Sequence, residues 1–199
     1  MRRRHALVGL LVAPRAAWAC GRLELGQILR GRFVQTRRLQ GFARPLVTEG
    51  RFALAPGQGL IWRAEKPFAI TTVMSAAGLV QETRGTETLR LPAARLPLLA
   101  RLYDMLGGAL GGDWHALERD FSVLRTGDAA AWQVVLTPRV TDSIAMPFQA
   151  ITAHGGCFVD AVDLAKPGGD TDRLEFLDQT LAPGPLGAGE EAALAVLAR

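Results

Sequence analysis

Two cysteines, three histidines and one tyrosine in 199 residues leave this chain little of the chemistry that depends on them. His5, His115 and His154 are too few and too scattered to make a metal site of recognisable spacing. A Gly-Xaa-Ser-Xaa-Gly elbow, a Walker loop and a Rossmann fingerprint are all missing, so no cofactor is expected. Also missing is any long hydrophobic run, since a membrane-spanning helix needs about 20 successive apolar residues. Acidic residues are absent from the first nineteen positions, which hold Arg2, Arg3, Arg4 and Arg15. The net charge of +4 belongs to that segment, because the rest of the chain carries 19 basic and 19 acidic residues. Nucleic-acid binding thereby loses its electrostatic footing. With no Ser- or Gly-rich linker and no internal repeat, the length suits one domain with a sizeable core.

What is present begins with an export pattern. Three arginines precede the apolar run Ala6 to Ala13, and Ala17-Trp18-Ala19 offers a signal-peptidase site before Cys20. We expect residues 1–19 to be a signal peptide and the mature chain to start at Cys20. Acylation of Cys20 is the second reading. A lipoprotein signal places Leu three residues before the cysteine and a small residue two before, where this chain has Ala17 and Trp18. Cys20 and Cys157 could pair in an oxidising compartment. The plainer expectation is that Cys157, in Gly155-Gly156-Cys157-Phe158-Val159, opens an apolar strand as a small hydrophobe.

Residues 31–74 set the architecture. Short apolar or alternating segments are cut by turn chemistry at Gly41, Pro45, Pro56-Gly57, Gly59 and Glu65-Lys66-Pro67. A weak helix is expected over 22–30, then strands over 31–40, 45–55, 59–64, 67–74, 78–83 and 86–91. The period changes at Pro92: Leu96, Leu99, Ala100, Tyr103, Leu106 and Leu110 recur at spacings of three and four, which predicts an amphipathic helix. A second short helix is expected at 113–117. Strands resume over 118–125, 131–137, 142–152, 157–164 and 172–178, and residues 183–199 read as a tail with a short helix. A long antiparallel sheet with one apolar face must bury that face, and curling around the helices does so without a second sheet.

The run Phe33-Val34-Gln35, then Gly50-Arg51-Phe52, Trp62 with Pro67 five positions on, Pro92 to Leu99, Phe121, Trp132, Leu136-Thr137-Pro138 and Gly169-Asp170-Thr171 before Leu174-Glu175-Phe176 resembles the periplasmic outer-membrane lipoprotein carrier family, LolA-like. The resemblance covers roughly residues 30–178. It implies a mainly β (α+β) fold over residues 20–182, a curled antiparallel sheet forming an incomplete β-barrel of about eleven strands with a helical lid. It further implies a monomeric, non-enzymatic carrier that shields acyl chains in a hydrophobic cavity. Its cargo would be a lipoprotein or lipid-like molecule, its donor an inner-membrane exporter and its destination an outer-membrane acceptor. An anchored acceptor of the same fold, acylated at Cys20, is the alternative. The chain departs from the family pattern at Leu54-Ala55-Pro56-Gly57, where a basic residue is usual before proline, and at Ala77-Gly78, where Asp-Gly is usual.

The expected cavity residues are Phe33, Phe52, Leu60, Trp62, Phe68, Ile70, Leu99, Tyr103, Leu106, Leu110, Phe121, Trp132, Met146 and Phe148. Each has an ordinary reading as core, for the two tryptophans above all. The methionines Met74, Met105 and Met146 suit either a yielding pocket or simple gap-filling. Arg30, Arg32, Arg37 and Arg38 could meet lipid phosphate, although a solvated strand face is the simpler expectation. One enzymatic reading remains: His154 lies three residues before Cys157, with Asp160 or Asp163 to orient it, in the manner of a Cys/His hydrolase. Without a helix N-terminus in reach to lower the thiol pKa, that reading is set behind the carrier.

Overall fold

Alternating residues cut by Gly and Pro turns give eleven strands in a computed structural model of the chain, which describes residues 23–93, 118, 121–139 and 148–198. They are β1 (Gln27–Arg38), β2 (Leu46–Ala55), β3 (Gly59–Lys66), β4 (Ile70–Ser75), β5 (Gly78–Thr83), β6 (Thr86–Pro92), β7 (Phe121–Gly127), β8 (Trp132–Pro138), β9 (Ala150–Gly155), β10 (Val159–Ala165) and β11 (Thr171–Pro183). All lie in one antiparallel sheet in the order β6-β5-β4-β3-β2-β1-β11-β10-β9-β8-β7. Two hairpin meanders are thus joined along a central seam, where Phe33 stands opposite Phe176 and Arg38 opposite Thr171. The edges are β6 and β7, and the sheet is not closed. One helix follows, α1 (Ala188–Ala195), continued by a 3-10 turn over Val196–Ala198.

The expected turns are where the strands end. Thr83 faces Thr86 across Arg84 and Gly85, both at positive φ (53° and 77°). That is the two-residue mirror-image turn whose twist matches a hairpin. The weak helix expected over 22–30 is not formed: Gln27 to Arg30 already belong to β1. Strand β4 starts at Ile70 rather than 67, because the turn includes Pro67 and Phe68. Strand β9 starts at Ala150. The expected helices at 93–110 and 113–117 lie outside the described residues save for the first position, as does the stretch 142–147.

Register assigns the two faces. Leu29, Phe33, Phe52, Leu54, Leu60, Trp62, Met74, Phe176 and Leu181 share one face of the first meander and the seam. Phe121, Val123, Trp132, Val134, Leu136, Ile151, Ala153, Val162 and Leu164 continue that face across the second meander. On the reverse face α1 and its continuation pack over the first meander. Leu186 and Leu194 meet Ile28, Ala53 and Ala55, while Val196 and Leu197 meet Val73 and Val80. Ion pairs Arg51–Glu65 and Arg173–Asp163 occupy other parts of the reverse face.

Candidate functional site: the aromatic face of the open sheet

Four aromatic rings meet at the seam. Phe33 and Trp62 stack with centroids 3.8 Å apart at 24°. Phe52 lies 6.1 Å from Trp62, and Phe176 meets Phe52 and Trp62 edge-on at 5.4 and 6.2 Å. The stack needs Gly50, the residue paired with Phe33, because a Cβ there would stand 2.8 Å from the Phe33 ring and collide with the carbonyl of Arg63. Offset and edge-on rings add about 0.5–1.5 kcal/mol per pair to the burial of their area.

Of the residues expected to line a cavity, Phe33, Phe52 and Leu60 are buried in or beside this cluster, and Trp62 is half-buried in it. Ile70, opposite Ala64, is half-buried on the same face. Phe121 and Phe148 stack 6.0 Å apart in the second meander, with Trp132 against the same cluster. The Trp132 indole donates to the carbonyl of Gly156 at 2.7 Å. Phe68 does not join them: it sits in the β3–β4 turn and is 69% exposed. Pro67 resets the alternation that had been counted through it. Leu99, Tyr103, Leu106, Leu110 and Met146 lie outside the described residues. Phe176 and Phe158, which pack into the cluster, were not anticipated, although Phe176 shares the even spacing of Asp172 and Leu174.

At one end the aromatic face carries a polar cluster. Asp172, 5% exposed, receives Arg37 at 2.9 and 3.2 Å and Lys166 at 2.7 Å. Burial pushes its carboxyl up, but the hydrogen bonds and charges of Arg37 and Lys166 outweigh that and hold it below the ordinary value. Arg37 is therefore committed to a carboxylate. Arg30 points to the reverse face, where it forks onto Glu190 of α1 at 2.7 and 2.6 Å. The hydrogen bond from Arg30 lowers the Glu190 pKa, against a smaller opposing effect of burial. Arg32 meets Asp178 at 3.4 Å in an exposed pair.

The Cys/His arrangement resolves differently from either expectation. His154 lies on the reverse face, its Nε2 3.3 Å from Asp163. Cys157 is disulfide-bonded, so it is neither the small apolar thiol read from its neighbours nor a nucleophile. Among the described residues no group of three or more His, Cys, Asp or Glu could hold a metal ion, and no helix is long and apolar enough to cross a membrane.

Comparison with known proteins adds three findings. The family model described as outer membrane lipoprotein carrier protein LolA-like matches residues 12–155. Among curated proteins no sequence match was found. The fold is similar to a LolA superfamily protein from Nitrosomonas europaea (10% identity, 80% of this chain and 88% of that one, TM-score 0.44). It is also similar to a putative outer membrane lipoprotein-sorting protein domain from Vibrio parahaemolyticus (10% identity, 92% and 93%, TM-score 0.41). A third likeness is to the MucA/MucB complex of Pseudomonas aeruginosa (14% identity, 84% of this chain, TM-score 0.35), where the match spans 55% of the other chain.

Proposed function

Because this chain belongs to the LolA-like family of outer membrane lipoprotein carrier proteins, we propose that it is an exported carrier. It shields the acyl chains of a lipoprotein or lipid-like cargo on its aromatic face and hands them towards the outer membrane. One observation carries the reading: a single apolar face runs through both meanders of a sheet that is not closed, with an aromatic cluster at its centre. Residues 1–19 act as the leader, and the site of action is the periplasm. Donor and acceptor are an inner-membrane exporter and an outer-membrane receptor, met by a monomer.

The energetics suit carriage. Each buried methylene contributes about 0.8 kcal/mol relative to water, so acyl chains on such a face are held against aqueous solution. Relative to a bilayer, hydrocarbon moves between two apolar phases and the gain nearly vanishes. A small bias at either end then suffices to load and unload.

The test is titration of the mature protein with a fluorescent fatty-acyl probe, beside thermal melts. Trp62→Ala and Ile70→Gln alter the aromatic face and are expected to weaken binding several-fold, as are Leu106→Gln and Leu110→Gln in the segment read as the lid. Leu124→Ser, on the reverse face of β7, serves as the control and leaves binding unchanged. Probe binding by all the folded variants at the parental affinity removes the site from the carrier reading.

A further inference from the structure

We propose that Cys157 is bridged to Cys20 within one chain, and that this bridge fixes the mature protein as a free carrier, not a lipid-anchored one. Cys157 is disulfide-bonded, and the sequence holds one other cysteine, Cys20. Described residues close in sequence to the two positions meet in one cluster. Leu23, three positions after Cys20, and Phe158, next to Cys157, pack against the same cluster of Leu29, Phe52, Leu54 and Leu60. Three residues span at most about 10 Å, which is the length of chain available between Leu23 and Cys20, and the end of the sheet that carries the β9–β10 turn lies beside the cluster that Leu23 joins. That end is also where β1 begins, with β11 alone between β1 and β10.

The chemistry is exclusive. A lipoprotein anchor is a thioether on the cysteine that becomes the N-terminus, and a sulfur held in a disulfide cannot carry one. Formation of the bridge is balanced by thiol–disulfide exchange with an envelope protein disulfide. The thiolate of one cysteine attacks that disulfide, and the second cysteine resolves the mixed disulfide. Two protons and two electrons leave the pair, and the oxidant departs as a dithiol. The inference rests on the export reading, because cytosolic thiols are kept reduced. It removes Cys20 acylation and the anchored-acceptor alternative together.

The experiment is intact-mass measurement of the full chain recovered from its own bacterium, with soluble envelope and membrane fractions kept separate. The expected product is a soluble monomer beginning at Cys20, about 2 Da lighter than its reduced form. It takes no iodoacetamide before reduction and two groups after, and its digest holds a peptide joining Cys20 to Cys157. A membrane-fraction chain heavier by acyl groups on Cys20, or a dimer joined through two copies of Cys157, overturns the bridge while leaving export intact. A chain with its leader uncleaved and both thiols free overturns export and bridge alike. Acyl-probe binding is scored on the same samples, so failure of carriage is read apart from failure of the bridge.

Discussion

Asp172 is the buried carboxylate of the described core, and its neighbours make it a test of how charge is held on an apolar face. Replacing it with Asn removes the charge, and one of the two acceptor oxygens, that Arg37 and Lys166 share, at an expected cost of about 1–3 kcal/mol, since hydrogen bonds to charged groups are worth more than neutral ones. The sign of its pH dependence follows from its lowered pKa. A carboxyl lowered by folding contributes stability in full above its unfolded value of about 3.9 and loses it as pH falls through the folded value. Glu190, lowered by Arg30, acts in the same direction. The urea midpoint of the parent should therefore fall on acidification below about pH 4, and Asp172→Asn should show a shallower acid limb. Equal limbs in the two proteins would place the acid sensitivity elsewhere. None of this was legible in the sequence: Asp172 stands in a run of charges, Asp170-Thr171-Asp172-Arg173, with nothing to set it apart from its exposed neighbours.

At the scale of elements, the C-terminal segment covers the reverse face of the first meander, and its loss exposes an apolar strip. Arg63 donates to the carbonyl of Gly189 at 2.7 Å and Arg90 to that of Val196 at 2.9 Å, so both ends of the segment are held by arginines of the sheet. Val196→Asp, which sets a carboxylate against Val73 and Val80, is expected to cost about 2–4 kcal/mol. It should also raise binding of a hydrophobic dye such as ANS; an unchanged melt and dye signal would mean that the segment is ornamental. This packing explains where sequence reading succeeded and where it failed. The turns at Arg84-Gly85, Pro56-Gly57 and Gly155-Gly156 mark the hairpins beside them because Gly and Pro act locally, whereas β4 and β9 begin later than expected, at Ile70 and Ala150. Strand β1 was misread at its start because Ile28 and Leu29 are both buried, one under the helix and one in the aromatic cluster. A strand covered on both faces has no period of two. The same signature is visible in Phe52-Ala53-Leu54-Ala55 and in Leu60-Ile61, all buried. Those unbroken apolar runs were the available sign that a second layer lies over the sheet.

For the whole molecule, the aromatic face shows in the even spacings and the reverse-face layer only in those unbroken apolar runs. The pairing of the first strand with the last is a matter of topology, to which no local signal points. That pairing has a consequence in time. Each meander is built of neighbouring hairpins and can form from contacts close in sequence, whereas joining Phe33 to Phe176 closes most of the chain into a loop. Such closure carries a loop entropy that hairpins avoid, and only its first contacts are expected at the barrier, with the packing of Phe176 completed after it. Contacts made after the rate-limiting barrier govern how fast the native state is lost. Phe176→Leu should thus leave the refolding rate nearly unchanged and speed unfolding, as read from both arms of a chevron. A slowing of refolding by the full loss of stability would instead put the seam in the nucleus. With the packing of the seam completed late, the join between the first strand and the last governs how long the protein survives once folded.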